Sequence, residues 1–143
     1  KSYRYRISRA TIPNPMEYRF AWHIEDALDL TVMRQAAVSL IGRHDFESFQ
    51  TATNGAEVKT TVRTVFAIEI HLKPDRIVTI DVVGDGFLRY MVRTIVGTLV
   101  EVGLGRREAN DMPDVLLAKS RDLAGPTAPA LGLCLVSVDY SDT

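Results

Sequence analysis

The sequence predicts an α+β domain: a mainly antiparallel sheet of about four strands with two or three helices packed on it. Three observations predict it. First, Val62, Thr64, Phe66, Ile68, Ile70 and Leu72 alternate with Arg63, Glu69 and His71 over residues 62–72, and Val78, Ile80 and Val82 resume the alternation over 76–83. The turn residues Lys73-Pro74-Asp75-Arg76 lie between them, so the two runs read as an antiparallel hairpin. Second, the period changes after Gly84-Asp85-Gly86: Leu88, Met91, Val92, Ile95, Val96, Leu99 and Val102 recur at helical spacing, a helix over about 87–102. Third, strand-like alternation returns at both ends, over residues 2–11 and 133–138.

The remaining elements follow in order. Tyr3, Tyr5 and Ile7 fall on one side of the first strand, with Arg4, Arg6 and Ser8 on the other. This strand starts with no preceding turn or cap, so a longer parent protein is expected. Pro13-Asn14-Pro15 breaks it. Residues 16–27 are weakly patterned, although Tyr18, Phe20 and Trp22 alternate and could line the core. Asp29 is placed to cap a helix whose buried stripe is Met33, Ala36, Ala37, Leu40 and Ile41, with Gly42 as its stop. In Gly42-Arg43-His44-Asp45-Phe46-Glu47-Ser48-Phe49, the two phenylalanines anchor a short turn and His44 or Asp45 ties down backbone. Residues 51–59 carry Asn54-Gly55 and read as a loop. His71 falls on the polar face of its strand and is expected in solvent. Pro113 sits in the first turn of a short helix through Leu116, Leu117 and Ala118. Residues 121–131 hold Gly125, Pro126 and Pro129, an ordered but irregular loop.

Composition narrows the function classes. With 143 residues, 46% hydrophobic and 24% charged, the chain suits one globular domain with a core. No apolar run approaches the ~20 residues of a membrane span, and no secretory signal is visible, so a cytoplasmic location is expected. Net charge is −1, which argues against a whole-surface nucleic-acid binder. A local basic surface remains open: the first 19 residues hold Lys1, Arg4, Arg6, Arg9 and Arg19 against the single acid Glu17. The one cysteine, Cys134, excludes an internal disulfide and a thiolate cluster, and its apolar neighbours predict a buried side chain. No His or carboxylate cluster has metal-ligand spacing, and neither a metal nor a cofactor is expected.

The anomaly is Arg93, flanked by Met91, Val92, Ile95 and Val96 on the apolar side of its helix. A guanidinium cannot shed its charge. Burying it unpaired costs several kcal/mol, roughly the 3–5 measured when buried pairs are broken. Arg93 therefore either reaches solvent at the helix edge or meets a carboxylate.

The stretch from Gly84 through Gly103, with Phe87-Leu88, Met91-Val92-Arg93, Ile95-Val96-Gly97-Thr98-Leu99 and Glu101-Val102-Gly103, resembles the long C-terminal helix motif of the tRNA pseudouridine synthase A (TruA) family. Four further segments resemble that family in the same order: Tyr3-Arg4-Tyr5, Gly42 to Phe49, Ala124-Gly125-Pro126-Thr127-Ala128-Pro129, and Gly132-Leu133 with Val138-Asp139-Tyr140. The resemblance implies that residues 1–143 form a single domain, the C-terminal part of an enzyme that isomerises uridine to pseudouridine in the anticodon stem-loop of tRNA. It implies tRNA as partner, a homodimer for the full-length protein and no cofactor. By resemblance, Arg93 matches the arginine that pairs with the catalytic aspartate. Tyr3 matches the tyrosine that contacts the flipped base and assists proton removal, and Leu133 the apolar residue under the target uridine. The aspartate lies in the family's N-terminal part, within a G-R-T-D-A-G-V-H segment that this sequence lacks. The chain is therefore expected to carry one wall of an active site and to be inactive alone. A non-catalytic RNA-binding module or a dimerisation domain of the same fold is the alternative.

Overall fold

The computed structural model describes residues 1–10, 19–51 and 60–138. Strand β1 (Ser2–Ser8) lies inside the sheet, with β5 (Ile77–Gly84) antiparallel on one side. Its other side is shared by β6 (Leu133–Ser137), antiparallel, and β2 (Trp22–His23), parallel. Beyond β5 come β4 (Val62–Leu72) and then β3 (Gly42–Asp45), both antiparallel to their neighbours. The sheet thus has six strands and is mixed, where about four mainly antiparallel strands were expected. The difference lies in the short members. β2 has two residues and β3 four, too few for a period-two signal to emerge from sequence.

The expected hairpin is present, with Ile68, Ile70 and Leu72 paired to Val82, Ile80 and Val78. These pairs share one face with Tyr5 and Ile7, both fully buried. On that face pack α1 (Leu30–Val38) and α2 (Met91–Gly103). The Asp29 carboxylate accepts from the backbone N–H of Thr31 and Val32 at 3.0 and 3.3 Å, the expected cap. Met33, Ala36, Ala37 and Leu40 are buried, whereas Ile41, beyond the end of the helix, is 37% exposed. Gly42 begins β3 at φ +111°, a conformation glycine adopts without a Cβ clash. Phe46 and Phe49 are buried around the turn Glu47–Phe49, and the Asp45 carboxylate accepts from Glu47 N–H and the Thr61 hydroxyl. His44 bonds to the Ile41 carbonyl. His71 is exposed, near Glu69. Phe20 is 57% exposed and Trp22 half-buried, so only the latter reaches the core as expected. Pro13, Asn14, Pro15, Tyr18 and residues 52–59 lie outside the described residues.

Helix α2 is buried on nearly every side. One face meets α1 and the sheet. The other is covered by the segment that follows α3 (Met112–Ala118) and leads into β6. Two positions explain how that segment comes so close. A Cβ on Gly97 would stand 1.7 Å from the Pro126 carbonyl oxygen, and one on Gly125 would stand 2.8 Å from the Thr98 Cα. Thr98 adds polar fixation: its hydroxyl accepts from Gly125 N–H at 2.8 Å and donates to the Thr94 carbonyl at 2.7 Å. The buried hydroxyl is thereby satisfied. Cys134 is exposed, a correction to the buried position read from its neighbours. It lies in β6, whose residues from Cys134 to Ser137 are all exposed.

Candidate active-site cleft

The first turn of α2 is placed by the turn before it. Asp85 N–H donates to the Thr64 carbonyl at 3.0 Å, and the Asp85 carboxylate accepts from Thr64 N–H at 2.9 Å, tying Gly84-Asp85-Gly86 onto β4. Phe87 then stands edge-on to Tyr3, with ring centroids 5.4 Å apart. The helix expected from about residue 87 begins at Met91, because Tyr90 takes the left-handed conformation, φ 61° and ψ 11°. A non-glycine residue there interrupts the helix backwards and sets the direction of its own side chain.

Tyr3, Phe87, Tyr90, Arg93, Ala130 and Leu133 line a cleft of about 330 Å³. The three residues singled out from sequence, Arg93, Tyr3 and Leu133, thus stand around one opening. Tyr3 and Leu133 arrive there through β1 and β6, where Tyr3 pairs with Leu135 and Tyr5 with Leu133. Arg93 is neither fully buried nor paired with a carboxylate among the described residues. Its Nε–H donates to the Ala128 carbonyl at 2.7 Å, and its guanidinium carbon lies 4.7 Å from the Tyr90 ring centroid. Ala128 N–H in turn donates to the Arg93 carbonyl at 3.0 Å. Arg89 lies over the same ring, 4.9 Å from its centroid. The tyrosine is accordingly shifted: the Arg89 guanidinium, with Arg93 adding to it, holds the Tyr90 phenol below its ordinary value.

Behind the cleft, the Tyr5 hydroxyl donates to the Pro129 carbonyl at 2.6 Å. Burial pushes this phenol well above its ordinary range, so it stays neutral. Gly132 is required beside it, since a Cβ there would meet the Tyr5 ring at 2.6 Å. Tyr5 therefore fixes both ends of the Ala130–Gly132 turn that delivers Leu133. Sequence reasoning missed Tyr90, Phe87 and the Ala128 carbonyl. Only Tyr90 carried a legible signal, an aromatic three residues before the anomalous arginine, on the same helical side.

A larger hollow of about 510 Å³ lies on the other face of the sheet, bordered by Arg4, Arg6, Phe20, Lys73 and Thr79. Its Arg4 is already held by Asp81 at 2.7 and 3.2 Å. Size alone does not make it the functional site; the smaller cleft brings together the cation, the aromatic rings and the apolar floor. Among the described residues, no three His, Cys, Asp or Glu side chains could hold a metal ion, and no helix is long and apolar enough to cross a membrane.

The cleft wall joins a guanidinium with no carboxylate partner among the described residues to edge-on aromatic rings, groups that can contact a flat ring and a negative charge. Comparison with known proteins gives the class more narrowly. The chain matches the family model described as tRNA pseudouridine synthase over residues 36–141, and it belongs to that family. Similar curated proteins are tRNA pseudouridine synthase A of Syntrophotalea carbinolica, 48% identical over 99% of this chain and 55% of the relative, and that of Shouchella clausii, 46% identical over 98% and 52%. The protein of the same name from Acetivibrio thermocellus is 41% identical over 98% of this chain and 56% of its own length. The chain therefore spans about half the length of the curated relatives it matches.

Proposed function

We propose that this chain is the C-terminal part of a tRNA pseudouridine synthase and supplies one wall of its active-site cleft. The observation that carries the reading is Arg93, half-buried beside Tyr3 and Leu133 with no carboxylate partner among the described residues. The isomerisation breaks the bond from ribose C1′ to uracil N1, turns the base and joins C1′ to C5. A proton leaves C5 and N1 gains one. The base must first leave its stack, at a cost of a few kcal/mol. An aromatic wall returns about 1–3 kcal/mol of it. In this reading Leu133 packs beneath the uracil, and Tyr3 contacts the base and assists removal of the C5 proton. Arg93 keeps an aspartate from the rest of the polypeptide ionised, since an opposite charge within about 4–6 Å favours the carboxylate form. The reading also takes tRNA as partner, a homodimer as the working assembly and the cytoplasm as location, each by family likeness.

Tritium release from tRNA labelled at uracil C5 tests it. The full-length polypeptide should release tritium from an anticodon-arm substrate and the isolated chain should not. Turnover by the isolated chain at a comparable rate would overturn the division of labour, and an inactive full-length protein would overturn the function.

A further inference from the structure

Tyr90 combines three features that core packing does not explain. It is a bulky residue at φ 61°, where glycine would sit without strain. Its side chain is not a core element, being 40% exposed. Its ring instead carries the Arg93 guanidinium at 4.7 Å.

An arginine side chain has many rotamers, and a catalytic guanidinium must be held in one. Arg93 has two restraints. The Ala128 carbonyl accepts from Nε–H at 2.7 Å, fixing one edge of the guanidinium plane. A single hydrogen bond leaves rotation about its own axis free. The Tyr90 ring face removes that freedom, because a planar cation stacks favourably on an aromatic face. The Tyr90 phenol oxygen also attracts the guanidinium, and the cleft with Tyr3 and Leu133 lies beside it. The backbone conformation contributes as well. A left-handed residue at the helix start turns the ring to the side from which Arg93, three residues later, emerges.

We propose that Tyr90 is a positioning residue that holds the Arg93 guanidinium ready for the carboxylate it pairs with. This rests on the catalytic reading of Arg93 given above. It adds a residue whose ring face is the main restraint and whose phenol oxygen is a lesser contact. Arg89, on the same ring and exposed, is the competing cation; it supplies positive charge and acts most strongly on the phenol oxygen.

Two readouts separate this proposal from the function it serves. The first uses the isolated chain and needs no RNA: the Arg93 Nε–H resonance and the rotation rate of its guanidinium by nuclear magnetic resonance. Tyr90→Phe should change both far less than loss of the ring does. Tyr90→Leu, which meets the same left-handed strain as tyrosine, should speed the rotation, and so should Tyr90→Gly, which relieves the strain while removing the ring. The second is the single-turnover rate of the full-length protein. Tyr90→Phe should stay within about threefold of the parent, and Tyr90→Leu and Tyr90→Gly should each fall about tenfold, on the scale of a desolvated cation–π contact, with tRNA affinity little changed. Unchanged Arg93 rotation in Tyr90→Leu and Tyr90→Gly overturns the proposal. A phenylalanine variant as slow as the leucine variant overturns it too, because the hydroxyl would then be the active part. If the parent is inactive yet the resonance behaves as stated, the positioning stands and the functional reading falls.

Discussion

The two ends of α2 obey opposite rules. At its middle and C-terminal half, Gly97 and Thr98 meet Pro126 and Gly125 at backbone contact, and the buried Thr98 hydroxyl has its partners inside the protein. At its N-terminal turn, Tyr90 is strained and Arg93 presents a charge that no carboxylate among the described residues answers. The same segment, residues 124–133, serves both: it seals the helix at Gly97 and, a few residues on, gives Arg93 its carbonyl and the cleft its leucine. If the proposed role of Arg93 holds, stability and function are separable along one helix, and substitutions at the two ends should fail in different ways.

Gly97→Ala should break the sealed end. The added methyl would overlap the Pro126 carbonyl oxygen, which is backbone and cannot rotate away. Overpacking of this kind costs up to about 3 kcal/mol, occasionally more. A thermal unfolding midpoint lowered by roughly 10 °C is expected for a domain of this size. A midpoint within a degree or two of the parent would mean that the segment is not seated on α2 as described.

A smaller effect is expected at Tyr5, which ties the segment to β1. Burial raises its folded-state pKa above the ordinary 10.0, so the folded protein holds this proton more tightly than the unfolded chain. The stabilisation is present below about pH 10 and is lost as pH rises from there toward the folded pKa. Tyr5→Phe should cost about 1 kcal/mol at neutral pH through the lost hydrogen bond to Pro129. It should also flatten the alkaline limb of a stability-against-pH curve measured by denaturant unfolding. An alkaline limb as steep in the variant as in the parent would assign that loss to other groups.

How much of this was legible in the sequence follows from what each element advertises. The hairpin 62–84 and the body of α2 have many residues on one period, and both were readable. β2 and β3 owe their place to neighbours that a two- or four-residue run cannot announce. Cys134 looked buried because its neighbours are apolar, but burial depends on what covers a strand, and β6 has β1 on one side only among the described strands. Arg93 was conspicuous because charge among apolar residues violates local consistency. The strained backbone of Tyr90 was not, since a left-handed tyrosine leaves no trace in composition; only its place three residues before Arg93 was readable. The fixing of Arg93 by a backbone carbonyl was likewise invisible, because every residue has one.

The separation of the two ends is tested most directly by Arg93→Met in the full-length polypeptide, with the unfolding midpoint and the rate–pH profile measured on the same preparation. The midpoint should move by no more than a few degrees, since methionine fills much of the volume and the lost hydrogen bond and exposed ring contact are worth about 1 kcal/mol each. The single-turnover rate should fall on the order of a hundredfold, and its acidic limb should shift upward by about 1–3 pH units as the aspartate loses its charge partner. A near-parental rate with an unmoved acidic limb, accompanied by a large drop in midpoint, would show that Arg93 belongs to the sealed end of the helix and that the cleft is not an active-site wall.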